Sequence, residues 1–181
     1  MQGIFARLRS LNFLQMSVLN DKQIGQILTR MAYEIIEQNI TAKKIHLVGI
    51  NNNGYRFASL LVDEITKIAS HQKETELLRI QLNAAKPLDD DVELSVAPAK
   101  LKNQHVILVD DVANTGRTLF YACHPFLKTM VKKLQVAVLV DRKHKSWPIQ
   151  VDFVGISLAT TVRDHIDVAL SKKGSFQAVI S

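Results

Sequence analysis

The alternation of two kinds of segment constrains this chain more than any other feature. Short, nearly unbroken apolar runs occur at 45–50, 77–82, 105–109, 135–140 and 151–156. They are too short for stable helices and lack the in-out alternation of a half-exposed strand, so they read as strands buried on both faces. Helical periods lie between them. Ile24, Ile27, Leu28, Met31 and Ile35 fall on one face of a helix over 21–38, with Asn20 and Gln23 spaced as a capping pair. Tyr55, Ala58, Leu61, Ile65 and Ile68 form a second stripe after a polar turn, Asn51, Asn52, Asn53 and Gly54. A third helix begins near Thr115 and meets a breaker at Pro125. Residues 166–170 and 176–180 read as short terminal strands. The pattern predicts an α/β fold, a parallel central sheet with helices on both faces. Ligands in such sheets bind beyond the carboxyl ends of the strands.

Composition narrows the classes. At 181 residues the chain is expected to be one domain. With 47% hydrophobic and 22% charged residues, disorder and fibrous architectures are excluded. No apolar run approaches the ~20 residues of a membrane helix. Cys123 is alone, which rules out an intramolecular disulfide and points to a cytoplasmic location. The net charge of +6 suits phosphorylated small molecules and nucleic acid alike. Between Asn83 and Lys100 no period holds, and Pro87 and Pro98 bracket Asp89, Asp90 and Asp91; a loop of that length is often a lid.

The chemistry concentrates in one stretch. The apolar run 106–109 ends in Asp110 and Asp111, followed by Val112, Ala113, Asn114, Thr115, Gly116, Arg117 and Thr118. A Thr-Gly turn opening a helix presents unpaired N–H groups and the positive end of the helix dipole, which is a phosphate cradle. The two carboxylates, one short loop away, can accept from vicinal hydroxyls or face a magnesium ion. A ribose 5-phosphate matches both halves. Other readings of the pair are a receiver-type magnesium site, in which the acids would close the first strand, and a plain capping turn.

This segment resembles the 5-phosphoribosyl-1-diphosphate (PRPP) signature of type I phosphoribosyltransferases. Residues 28–37, 47–50 and 138–149 extend the similarity to the bifunctional pyrimidine-operon attenuator and uracil phosphoribosyltransferase family. The resemblance implies the type I fold with a small hood, magnesium with PRPP, a nucleobase that is most often uracil, and a homodimer or larger assembly. It implies Asp110 and Asp111 on the ribose hydroxyls and magnesium, directly or through water. Asn114, Thr115, Gly116, Arg117 and Thr118 are implied around the 5-phosphate, and Asn51, Asn52, Asn53 and Gly54 around pyrophosphate. The base is expected under a hood that includes Asp141, Arg142, Thr160, Thr161 and Val162.

The sequence also departs from that family. Its pyrophosphate loop carries Lys-Thr-Arg-Gly, whereas Asn51, Asn52, Asn53 and Gly54 carry no cation. Each missing charged hydrogen bond weakens stabilisation of the leaving group by ~1.5–3 kcal/mol, so reduced activity is expected. Arg56 stands two residues on as a substitute. In the attenuator family a basic surface contacts messenger RNA, and the corresponding residues here are Thr29, Tyr33, His144 and Lys145. Three functions therefore stand: an enzyme acting on uracil, an RNA-binding regulator of pyrimidine genes, and a PRPP or nucleotide sensor with little turnover.

Overall fold

The structure is a computed structural model, and it describes residues 16–69, 71–159, 166–170 and 176–180. The elements run β1 (Met16–Leu19), α1 (Asp21–Gln38), β2 (Lys44–Ile50), α2 (Asn51–Ala69), β3 (Glu74–Gln81), β4 (Glu93–Leu94), β5 (His105–Ala113), α3 (Arg117–Ala122), β6 (Lys133–Arg142), β7 (Phe153–Leu158), β8 (Ile166–Leu170) and β9 (Phe176–Ile180).

Local chemistry sets the helix boundaries. The Asn20 side chain accepts from the Gln23 amide, and Gln23 Oε1 accepts from the Asn20 amide, each at 3.0 Å, so α1 opens with a reciprocal capping box. Asp21 adds a favourable charge in the first turn. The helix ends at Asn39, whose amide turns back to the Ile36 carbonyl at 3.3 Å. The buried stripe Ile24, Ile27, Leu28, Met31, Ala32 and Ile35 is the one the sequence spacing predicts. α3 is only six residues long, and a 3₁₀ turn, His124–Lys128, follows with Pro125 in its first turn.

The main sheet has the order β4-β3-β2-β5-β6-β7, with β2, β3, β5, β6 and β7 mutually parallel and β4 antiparallel on the edge. One face is covered by α1, α2 and the small antiparallel sheet β1-β9-β8; the other by α3 and the segment around Leu101. Successive side chains therefore serve different layers: Ile107 and Val109 face the first, Val106 and Leu108 the second. In chain order the parallel strands step outward from β2 to β3, then restart on its other side with β5. The order reverses between β2 and β5, and a crevice opens there at the carboxyl ends.

Three boundaries beside the expected site differ from expectation. β5 continues through Asp110 and Asp111 to Ala113, because Asp110, Val112 and Ala113 keep their pairing with Val138, Val140 and Asp141 on β6. α3 starts at Arg117 rather than Thr115, since Gly116 sits in the left-handed region at φ +84°. Residues 51–54 form the first turn of α2 instead of a separate loop. No helix among the described residues is long and apolar enough to cross a membrane.

Candidate active site

β2 passes into α2 in a single step. Asn51 makes the corner with φ +51°, a left-handed conformation that asparagine tolerates better than most residues. Its side-chain oxygen accepts from the Leu82 amide at 3.1 Å, fixing the end of β3 beside the corner. Asn53 Nδ2 donates to Asp111 Oδ2 at 2.9 Å. Gly54 is needed for closeness: a β-carbon there would lie 2.5 Å from the Val109 carbonyl oxygen and 3.1 Å from Asp110 Oδ1. The first turn of α2 is thus pressed against the end of β5 at the reversal point of the sheet. Asn52 is exposed.

The turn 114–118 is held from behind by the segment after β6. The amides of Ser146 and Trp147 both donate to the Thr115 carbonyl, at 3.0 and 3.1 Å. The Trp147 ring packs on Phe120 and Tyr121 of α3, with centroids 5.2 and 5.4 Å apart. A β-carbon on Gly116 would meet Ile149 Cγ2 at 2.5 Å, and its positive φ excludes most side chains independently. Sequence reading missed the role of Trp147 and Ile149, since neither carries chemistry and both act only by packing.

Asp110 and Asp111 line different hollows. Asp110 faces a small one of about 60 Å³ enclosed with Asn114, Thr115, Gly116, Arg117 and Thr118. A water needs about 10–15 Å³ by the same measure, so this hollow holds a handful of atoms, the scale of a phosphoryl group. Asp111 faces a neighbouring cavity of about 280 Å³ shared with Asn53, Asn114, Arg142 and the β8 residues Ile166, Asp167 and Val168. Another hollow, about 660 Å³, lies between residues 87–92 and α3 and contains none of the expected site residues.

The electrostatics of the pair are unequal. Asp110 is buried, and burial first, then the like charge of Asp111, hold its carboxyl well above the usual carboxylate range. Its Oδ1 accepts the Asp111 amide at 3.0 Å. A divalent cation would relieve the crowding of two hard oxygen donors, so the pair fits magnesium in chemistry. Among the described residues no third His, Cys, Asp or Glu joins them, which leaves the rest of a shell to substrate and water.

Other predicted residues are placed as follows. Arg117 is exposed and its Nη2 donates to the Ala84 carbonyl at 2.9 Å, so its guanidinium ties the turn to the 83–100 segment. Arg56 does not replace the missing cations: its Nε donates to the Leu170 carbonyl at 3.4 Å, toward the hood strand β8. Asp141 is paired with Lys145. Arg142 is buried at the lip of the 280 Å³ cavity. Thr160, Thr161 and Val162 lie outside the described residues. Ile166, Asp167 and Val168, expected only as part of a short terminal strand, line the cavity beside Arg142. Thr29 donates to Glu64 Oε1 at 2.8 Å on α2, Tyr33 is exposed on α1, and Lys145 donates to the Ala113 and Arg142 carbonyls after β6. Thr29 and Lys145 are thus held by separate partners.

Known proteins fit this geometry. The phosphoribosyl transferase domain family matches residues 15–172. A bifunctional protein PyrR from Clostridium kluyveri is 37% identical over 168 residues, covering 88% of this chain and 92% of its own. The PyrR protein of Macrococcus caseolyticus is 33% identical over 159 residues, covering 86% and 91%. Among solved structures, the hypoxanthine phosphoribosyltransferase of Trypanosoma cruzi superposes with a TM-score of 0.71 over 90% of this chain and 94% of its own, at 15% identity. One from Staphylococcus aureus gives 0.67 at 18% identity, over 87% and 83%; at such identities these two speak for the fold alone. The chain belongs to the phosphoribosyltransferase family, with the type I fold and the PRPP-dependent transferase class that membership carries.

Proposed function

We propose that the protein transfers ribose 5-phosphate from PRPP to uracil and releases pyrophosphate. The observation that supports this best is the convergence, at the reversal point of the sheet, of the Asp110–Asp111 pair, the phosphate-sized turn 114–118 and the first turn of α2. In this reading the amides and hydroxyls of Asn114, Thr115, Gly116 and Thr118 hold the 5-phosphate, with Arg117 linking the turn to the lid. Asp110 and Asp111 orient the ribose hydroxyls and hold magnesium. The N-terminal amides of α2, from Asn52 to Gly54, receive pyrophosphate. The base lies in the 280 Å³ cavity between Arg142 and β8.

The displacement at C1 proceeds through a loose, oxocarbenium-like transition state, so these residues act by positioning and by offsetting charge on the leaving group. Magnesium, when bound, supplies the charge that neutralises the departing pyrophosphate. The 83–100 segment, fastened at Ala84 by Arg117, excludes water from the activated sugar. The single free Cys123 suits a cytoplasmic setting. Homodimerisation belongs to the same reading.

Incubation with PRPP, magnesium and a panel of bases tests this directly. Formation of UMP and stoichiometric pyrophosphate is the expected result. If no base gives a nucleotide, while calorimetry still registers PRPP, the sensor reading replaces the enzyme. The regulator reading is retained only if a pyrimidine-leader RNA is held better than its scrambled counterpart.

A further inference from the structure

The sheet carries a second hollow, of about 200 Å³, whose lining includes none of the expected site residues. Lys44 and His46 on β2 share its wall with Glu76 and Leu78 on β3, because alternate strand residues face the same way and His46 sits directly across from Glu76. Val96, Lys100, Leu101 and Gln104, from the segment leading into β5, close it on the other side. Leu78 and Leu101 are buried and Val96 packs with them, so the floor is aliphatic. Lys44 begins β2, which places the hollow toward the end of the sheet opposite the crevice.

The imidazole of His46 is the informative group. The residue is 5% exposed, yet neither ring nitrogen completes a hydrogen bond among the described residues; Nδ1 stands 3.3 Å from Glu76 Oε2. Buried polar atoms are nearly always satisfied, so an unsatisfied imidazole lining a hollow calls for a partner. Burial opposes its protonation, and the neutral ring offers one N–H donor and one acceptor. The charges around it are unequal. Glu76 is held by Lys44 at 2.8 Å, and Glu74, across from Lys44, is exposed and outside the lining. Lys100 is exposed and has no ion pair among the described residues. The Gln104 side chain adds a carboxamide beside the ring.

We infer that this hollow binds a small organic monocarboxylate, with its carboxylate on Lys100, Gln104 and His46 and its aliphatic body on Leu78, Val96 and Leu101. A water occupies about 10–15 Å³ by the same measure, so the ligand has fewer than about a dozen heavy atoms. Inorganic phosphate would satisfy the donors but leave the aliphatic floor wet. An uncharged apolar molecule would leave Lys100 and the imidazole unanswered, at the cost of burying polar groups without partners. A divalent cation is opposed by the two lysines that flank Glu76. The inference does not rest on the transfer of ribose 5-phosphate.

Titration of the full chain with isovalerate, followed through its histidine ring resonances, tests the inference. Saturation is expected with a Kd at or below about 10 mM, the range that so few heavy atoms allow. The His46 resonances should move, while those of His105, whose ring is bonded to Asn39, should not. Isovaleramide, of the same shape without the charge, should bind at least about tenfold more weakly, and so should isovalerate to Lys100→Gln. Lys102→Gln, an exposed lysine outside the lining, should bind as wild type does. Equal binding of the amide, equal weakening by the two variants, or no saturable shift of His46 would each overturn the assignment. Inorganic phosphate moving His46 as strongly as isovalerate would overturn it too, since the aliphatic floor would then contribute nothing. Absence of transferase activity would leave the titration standing, so the two readings fail separately.

Discussion

At the level of single residues, the site depends on groups whose environments oppose one another. Asp110 is a buried acid with a raised pKa and a charged neighbour. An acid of this kind lowers stability as pH rises from the unfolded value of about 3.9 through the higher folded one, because only the unfolded chain has then lost its proton freely. Asp110→Asn should therefore raise the Tm of the free protein at neutral pH while abolishing calorimetric heats with PRPP and magnesium. A lower Tm would mean that the carboxylate is stabilised by contacts other than those described. Gly116 makes the opposite kind of contribution, since it alone permits the turn. Gly116→Ala should lose about 1–3 kcal/mol of stability and raise the KM for PRPP, read by thermal melts and steady-state kinetics. Gly25→Ala is its counterpart: nothing lies within 4 Å of the added carbon on α1, so a gain of about 0.5–1 kcal/mol is expected. The sequence identified both aspartates, but not that they line separate hollows, because that depends on what flanks the end of β5.

Among the elements, the first turn of α2 is where the proposed reaction would receive pyrophosphate. Asn51 and Asn53 are already engaged, with the Leu82 amide and with Asp111. Replacing either would exchange a structural bond for a charge. Asn52 is exposed in the same turn, so Asn52→Lys is the substitution that adds a cation at little structural cost. It should raise kcat/KM for PRPP by about tenfold, the lower end of what one charged hydrogen bond contributes. An unchanged rate would place the limitation outside this turn. The elements themselves were largely legible: 21–38, 166–170 and 176–180 coincide with α1, β8 and β9. At Asn51 and Asp110, two of the places where the boundaries differ, the cause is tertiary. A left-handed asparagine let a helix begin at once, and pairing to β6 prolonged a strand through polar residues.

Across the whole molecule, the two ends of the sheet do different work. The carboxyl end carries the crevice, while the amino end is locked by a buried polar network. Asn39 Nδ2 donates to the Ile35 carbonyl at 3.0 Å and to Gln135 Oε1 at 2.9 Å, and its Oδ1 lies 2.8 Å from His105 Nδ1. Asn39→Ala would orphan several buried groups and should reduce stability by about 2–4 kcal/mol, with turnover per folded molecule unchanged. Because burial lowers the pKa of His105, the unfolded chain takes up its proton first as pH falls. Stability should thus decline as pH falls through about 6.5, and His105→Asn, which keeps a donor for Asn39, should lessen that decline in melts recorded from pH 7.5 to 5. The sequence by itself determined the layered α/β architecture and the Thr-Gly turn that follows the acidic pair, because hydrophobic period and turn chemistry are local properties. Only the tertiary structure decided which residues share a cavity, that Arg117 holds the 83–100 segment, and that β8 closes the cavity beside Asp111. Those contacts join positions far apart in the chain, and strand order, which brings them together, is set by the packing of the whole sheet.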